Sequence, residues 1–143
     1  MKDAVIKIID SHISDGEEYS CELTTSGTLD YTPDGYSVTY HETDEELKGS
    51  VTVLKVSNGG NTILMTRKGK FNTEMVIEKD RRHTCFYETP YGELMMGVYT
   101  KSIFSDMNEN GGTLRFCYTI DFNNEPASEN DLTVIVHLKN QEV

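Results

Sequence analysis

The chain has no tryptophan and only three prolines and three cysteines among its 143 residues. The cysteines, Cys21, Cys85 and Cys117, are odd in number, widely spaced and without a CxxC pair. This pattern argues against a disulfide framework. We therefore expect free thiols that pack as small apolar residues, in a protein of the reducing cytoplasm.

Long hydrophobic runs are also missing. No apolar stretch approaches the roughly 18 residues that cross a bilayer as a helix. The opening "MKDAVIKIIDSH" has a short apolar patch interrupted by Lys7, and no small-residue cleavage site follows it. We therefore expect neither a secretory signal nor a membrane partner.

Basic residues are scarce, with 13 against 24 acidic ones and a formal net charge of -11. Such a surface repels phosphate backbones and anionic headgroups. The two basic clusters, "TRKGK" and "KDRRH", coincide with predicted turns, where a few charges serve solubility. We expect no nucleic-acid partner.

Glycine is present where hairpins need it. Glycine, asparagine and aspartate tolerate positive φ and close two-residue hairpin loops. These residues recur in Asp15-Gly16, Pro33-Asp34-Gly35, Asn58-Gly59-Gly60, Lys68-Gly69, Pro90-Tyr91-Gly92 and Asn110-Gly111-Gly112. Between them, apolar and polar residues alternate, most regularly in "TLRFCYTIDF" and "DLTVIVHL", which indicates one wet and one buried face.

The pattern predicts about nine or ten strands and almost no helix. We place the strands near 3–13, 17–26, 35–42, 49–57, 61–68, 71–79, 82–89, 92–104, 112–123 and 130–139. Only "TDEELKG", with Thr43 as N-cap, predicts a helical turn. Antiparallel strands joined by tight hairpins must close or stack to cover their edges. We expect an all-β fold: an antiparallel up-and-down barrel of about eight to ten strands, one domain over residues 1–143.

Five segments carry a resemblance to a known family: "LMTRKG" (64–69), "YETPYGEL" (87–94), "YTKSIFSDM" (99–107), the glycine pair before "LRFCY", and "SENDLTVIV" (128–136). In this order and spacing the chain resembles the YwiB-like family, small bacterial proteins of uncharacterised function with a lipocalin-like (calycin) β-barrel. The resemblance covers nearly the whole chain. It implies the fold, and it brings no ligand, activity or site residue.

Two metal motifs have simpler explanations. "DMNENG" matches the first half of a calcium loop, but Cys117 stands where the bidentate glutamate belongs, so we interpret the segment as a hairpin turn. His83 and Cys85 are two apart and share one strand face, yet no third ligand is visible. We expect no metal and no cofactor.

The main functional hypothesis is based on the polar residues that lie on the inward faces of the predicted strands. Arginine and tyrosines in an otherwise apolar interior could hold a small amphipathic or anionic molecule, with the guanidinium on a carboxylate. We expect the ligand-binding residues to be Arg67, His83, Tyr87, Met96, Thr100 and Tyr118. On the strand near 92–104 we expect Leu94, Met96 and Val98 inward, followed by Thr100 and Ser102, unless a bulge near Gly97 swaps the faces.

Two other functions remain open. The barrel could be filled by its own side chains and act through its outer surface, as a homodimer joined by residues 88–103 or by "TDEELKG". An enzyme, or a haem protein using His83, is the third hypothesis. No nucleophile, base and orienting group stand together in the sequence, so we name no catalytic residue.

Overall fold

Ten antiparallel strands form one closed barrel in the computed structural model, which describes residues 1–43, 48–69 and 72–139. The strands are β1 (Lys2–Ser14), β2 (Glu17–Thr32), β3 (Gly35–His41), β4 (Val51–Ser57), β5 (Thr62–Lys68), β6 (Thr73–Glu78), β7 (Arg82–Thr89), β8 (Gly92–Asn108), β9 (Gly111–Phe122) and β10 (Glu125–Leu138). Each strand pairs with the next along the chain, and β10 pairs with β1. The predicted all-β up-and-down barrel is confirmed.

Helical structure is nearly absent from the described residues, where a single 3-10 turn spans Asn58–Gly60. In this part of the chain no helix is long and apolar enough to span a bilayer. One sequence-based expectation, the "TDEELKG" helical turn, falls on a segment that includes residues outside the described ranges.

The lower half of the barrel is packed solid. We call the end with the β2–β3, β4–β5 and β8–β9 connections the lower end, and the opposite end the upper end. Fully buried side chains fill the lower half, among them Ile6, Val38, Leu54, Ile77, Leu114 and Phe116. Tyr36 and Ser105 join across the barrel near the lower end, with 2.5 Å between their hydroxyl oxygens. This packing leaves the upper end as the place for a cavity.

Three strands extend well beyond their predicted ranges: β2, β8, which runs to Asn108, and β10. β2 runs through Gly27, where a Cβ would collide with the Thr39 carbonyl oxygen and crowd Ile6. That glycine allows close strand approach and is not a turn residue. β10 starts at Glu125 because Asn123 and Asn124, at φ of 53° and 68°, close the β9–β10 hairpin. Asparagine tolerates this left-handed geometry, so the hairpin needs no glycine.

The bulge in β8 lies a few residues beyond Gly97, the position left open as an alternative from the sequence. The register of β8 against β9 is regular there and shifts between Thr100 and Ser102. Ile103 therefore turns toward the core and Ser102 becomes exposed, the reverse of the prediction for both. Leu94, expected inward, lies near the strand tip and is 49% exposed.

The barrel wall is weakest between β6 and β7. In the described chain their ladder consists of one pair, Thr73 with Tyr87. The connection after β6 bonds instead to β8, where the Asp80 N–H donates to the Thr100 carbonyl at 2.8 Å. Thr73 and Tyr87 thus mark the point where the wall closes, at the level of the cavity described next.

Candidate ligand-binding site

A cavity of about 470 Å³ occupies the upper half of the barrel. Its apolar lining includes three methionines, Met65, Met75 and Met96, together with Ile8 and Leu132. These five side chains are nearly buried and continue the packed core upward. Methionine is flexible and polarizable, so this lining can adapt to the shape of an apolar ligand. The volume lies within the range of small-molecule sites.

Polar side chains form a continuous row across five strands at the same level. Tyr40, Thr52, Arg67, Thr73 and Tyr87 are directly paired, each with the next, from β3 to β7. Each is one inward position above an apolar residue, because successive inward side chains on a strand are two apart. We call these five residues the polar row. It separates the packed core from the upper rim.

Arg67 is held inside this row by a buried acid. Its Nη2 lies 3.3 Å from Glu42 Oε1, and its Nε donates to Thr52 Oγ1 at 3.3 Å. The Thr52 hydroxyl in turn donates to Glu42 Oε1 at 2.7 Å. The side chains are 20% exposed for Arg67 and 8% for Glu42. Glu42 is therefore compensated by a guanidinium and a hydroxyl in a setting with little water.

Asp10 supplies a second carboxylate to the cavity. It faces inward from β1, paired with Leu132 and Cys21, and its side chain is 45% exposed. Burial raises the pKa of Asp10 above its ordinary value, and the nearby charge of His12 opposes that shift. Its oxygen lies 3.9 Å from His12 Nδ1, a long ion-pair distance. With Glu42 and Arg67 the cavity thus holds two acids and one guanidinium.

Two tyrosines of the lining, Tyr40 and Tyr118, are neutral donors. Burial raises the pKa of Tyr40 and of Tyr118 well above the ordinary phenol value, so both keep their protons at neutral pH. Their rings, with that of Tyr87, add aromatic surface to the lining. A phenol that stays protonated offers a hydrogen bond without a charge.

Thr73 carries an unused hydroxyl in the wall. The residue is 8% exposed and lines the cavity, and Thr73 Oγ1 has no hydrogen-bond partner among the described residues. Buried polar atoms normally find a partner, because leaving one unpaired costs free energy. Thr73 Oγ1 is itself buried, so Thr73 leaves an uncompensated hydroxyl within the wall of the cavity.

Four of the six residues named from sequence meet in this cavity: Arg67, Tyr87, Met96 and Tyr118. Thr100 is fully buried opposite Tyr118 and is not part of the lining. His83 lies toward the lower end of β7, where its Nε2 is 2.8 Å from Glu78 Oε1. The structure thus separates His83 from Arg67.

Sequence reasoning missed Asp10, Glu42 and Thr73. A signal for Asp10 was present, since Ile6 and Ile8 place it next in an inward series. Glu42 follows Tyr40 in the same way. In a chain with 24 acidic residues, an inward acid looks like any surface acid until the barrel is closed.

The two metal motifs take the following form in the structure. Among the described residues no group of three or more His, Cys, Asp and Glu side chains is placed to hold a metal ion. In the "DMNENG" segment the Asn110 N–H donates to Asn108 Oδ1 at 2.8 Å, within the β8–β9 hairpin. A hairpin turn therefore accounts for this segment.

Comparison with known proteins agrees with this architecture. Residues 6–134 match the family described as "Domain of unknown function (DUF1934)". The chain is 26% identical over 120 residues to the "Uncharacterized beta-barrel protein YwiB" of Bacillus subtilis strain 168, covering 84% of this chain and 82% of that protein. The crystal structure of the ywiB protein from Bacillus subtilis superposes with a TM-score of 0.85 at 21% identity, over 97% of this chain and 93% of that one. The resemblance to YwiB-like proteins is thereby confirmed, and the chain belongs to the DUF1934 family.

Proposed function

We propose that this barrel binds a small amphipathic molecule in its upper cavity. The observation that carries the proposal is the division of the interior: a packed lower half, an upper cavity of about 470 Å³, and a polar row at its wall. An apolar pocket with a few convergent polar groups is the usual form of a small-molecule site. The up-and-down strand order supports a lipocalin-like way of holding the ligand inside the barrel.

We do not propose that Arg67 binds an anionic headgroup. A carboxylate ligand would have to compete with Glu42, which the guanidinium already contacts at 3.3 Å. Displacing Glu42 would leave a buried carboxylate without its counter-ion, which is costly. The sequence-based hypothesis named an amphipathic or an anionic ligand, and the amphipathic ligand therefore has the better support.

Native mass spectrometry tests the proposal. The untagged protein, purified from its own cells, is measured under native and denaturing conditions. We expect a reproducible extra mass that is lost on denaturation. Met75→Trp, which fills the cavity, should lose that mass, whereas Val76→Trp, on the outward face of the same strand, should keep it. A bare mass for the native wild-type protein would contradict the proposal.

A second candidate function is an interaction through the outer surface, including a homodimer. Phe86 and Met95 face each other across β7 and β8, with 60% and 50% of their surface exposed. Exposed apolar neighbours favour self-association. Sedimentation of the wild-type protein and of Met95→Glu at micromolar concentration tests for a homodimer through this surface. A strict monomer in both cases counts against this candidate.

We further propose that the protein works in the cytoplasm and without a catalytic residue. Cys21, Cys85 and Cys117 are all free thiols, which supports a reducing compartment. In the cavity, Glu42 and Arg67 contact each other and Thr52, an arrangement that supports a binding role. An absorbance spectrum after haem supplementation tests the haem alternative.

A further inference from the structure

We infer that the upper cavity selects amphipathic molecules with a cationic amine headgroup, and that Asp10 is the counter-ion of that headgroup. The inference rests on the proposed function and adds the chemical class of the ligand. It follows from the charges of the lining and from the hydrogen bonds that those charges already make.

The described lining of the cavity carries more acidic than basic side chains. Asp10, Glu42 and Arg67 are its charged side chains among the described residues, which leaves one negative charge uncompensated when both acids are ionised. The whole chain, at a formal net charge of -11, adds a negative potential around the cavity mouth. Such a field raises the local concentration of cations and lowers that of anions.

Glu42 and Asp10 differ in the partners that their carboxylates already have. Glu42 Oε1 accepts from Thr52 at 2.7 Å and lies 3.3 Å from Arg67 Nη2. Asp10 has no comparable network in the described chain, where its ion-pair contact is with His12 at 3.9 Å. Asp10 is also the more accessible of the two acids, at 45% exposure against 8%. A cation that enters from the upper end therefore reaches Asp10 without displacing a close hydrogen-bonded partner, because the contact with His12 is long.

Aromatic rings in the lining also favour a cation. The rings of Tyr40, Tyr87 and Tyr118 line the cavity, and aromatic faces attract cations. An ammonium group paired with Asp10 is therefore surrounded by phenol rings, while its alkyl chain contacts the methionines.

Three ligands of equal chain length test the inference by isothermal titration calorimetry: octylammonium, octanoate and 1-octanol. We expect octylammonium to bind at least tenfold more tightly than octanoate. Asp10→Asn should weaken octylammonium binding by about fivefold, the effect of losing one charged partner that is half in contact with water. The affinity of 1-octanol should not change, because it carries no charge.

Asp3→Asn is the matched control, since Asp3 is exposed at the opposite end of the same strand. It removes the same charge and should leave octylammonium binding within about twofold of wild type. Equal loss in both variants would assign the effect to net charge and overturn the role of Asp10. If octanoate or 1-octanol binds as tightly as octylammonium, the inferred selectivity for an amine headgroup is wrong, but the proposed binding of a small amphipathic molecule still stands. Binding of none of the three would overturn the amine inference, and native mass spectrometry would then decide the proposed function separately.

Discussion

Arg82 and Asp121 form a two-point ion pair that crosses the outer face of β8 over Gly97. Arg82 Nη2 lies 2.7 Å from Asp121 Oδ1, and Arg82 Nε donates to Asp121 Oδ2 at 3.1 Å. The two residues belong to β7 and β9, which flank β8. A Cβ at Gly97 would collide with the guanidinium and with the carboxylate. Because Gly97 has no side chain, this ion pair can link β7 to β9 across the outer face of β8.

Gly97→Ala should destabilise the protein by displacing this ion pair. The same substitution in an Arg82→Ala background should be neutral or stabilising, because alanine is better suited than glycine to a strand and the Asp121 carboxylate, no longer held by the guanidinium, can move aside. Urea denaturation of the four proteins measures the coupling. Equal effects of Gly97→Ala in both backgrounds would show that the glycine is required for another reason.

Asp10→Asn should stabilise the empty barrel at neutral pH. Burial raises the pKa of Asp10, so the folded state holds its proton more tightly than the unfolded chain. The free energy of unfolding therefore falls as the pH rises from the ordinary aspartate pKa through the raised one, and the loss is complete above it. Asparagine removes this loss but leaves the shape unchanged.

The measurement is urea denaturation of the wild type, Asp10→Asn and Asp3→Asn at pH 7 and at pH 4. We expect Asp10→Asn to gain stability at pH 7 and to gain less at pH 4, where the carboxyl is partly protonated. The charges that act on Asp10 come from His12, Arg67, Asp131 and Glu42, and all of them remain. A gain of the same size in Asp3→Asn would point to general charge repulsion. A residue that destabilises the empty fold yet strengthens binding of a ligand is typical of a functional site.

Arg67→Met should destabilise the barrel by about 2–3 kcal/mol, because it leaves Glu42 buried without its counter-ion. The double variant Arg67→Met with Glu42→Gln should recover most of that loss, since no charge is then left uncompensated in the row. Urea denaturation at pH 7 gives both values.

The same double variant separates structure from binding. Among the described residues it leaves Asp10 as the single charge of the lining, so octylammonium should bind about as tightly as to the wild type. Loss of octylammonium binding in a folded double variant would mean that Arg67 or Glu42 contacts the headgroup directly. Its circular dichroism spectrum and urea midpoint establish that the variant is folded.

Much of the barrel was predictable because local chemistry determines it. In β9 the alternation places Leu114 and Phe116 inward, and the structure has both fully buried. Asp15-Gly16 closes the β1–β2 hairpin with two positive φ angles, as such pairs do. Asn123-Asn124 has the same geometry but lacks glycine, so the start of β10 was placed too late.

The candidate site was less predictable from the sequence because it forms only when the sheet closes into a barrel. Asp10 and Glu42 lie at inward positions near the strand ends, and an acid there faces water in an open sheet but a cavity in a closed barrel. The division between a packed lower half and an open upper half depends on how ten strands fill one ring, which no single segment encodes. The inward position of Arg67 follows from its place after Ile63 and Met65, but its partner Glu42 lies on another strand hairpin.

Leu54 and Met65 provide the last prediction, because they are directly paired on β4 and β5 yet meet different surroundings. Leu54 is fully buried in the packed core, whereas Met65 borders the cavity. Leu54→Ala should destabilise the protein by about 3 kcal/mol, as expected when a filled core position is emptied. Met65→Ala should cost about 1–2 kcal/mol, because the methionine lacks packing partners on its cavity side. Urea denaturation of ligand-free protein gives both values. Equal losses would mean that protein atoms surround Met65 on every side, a result that favours the self-filled barrel over the binding module.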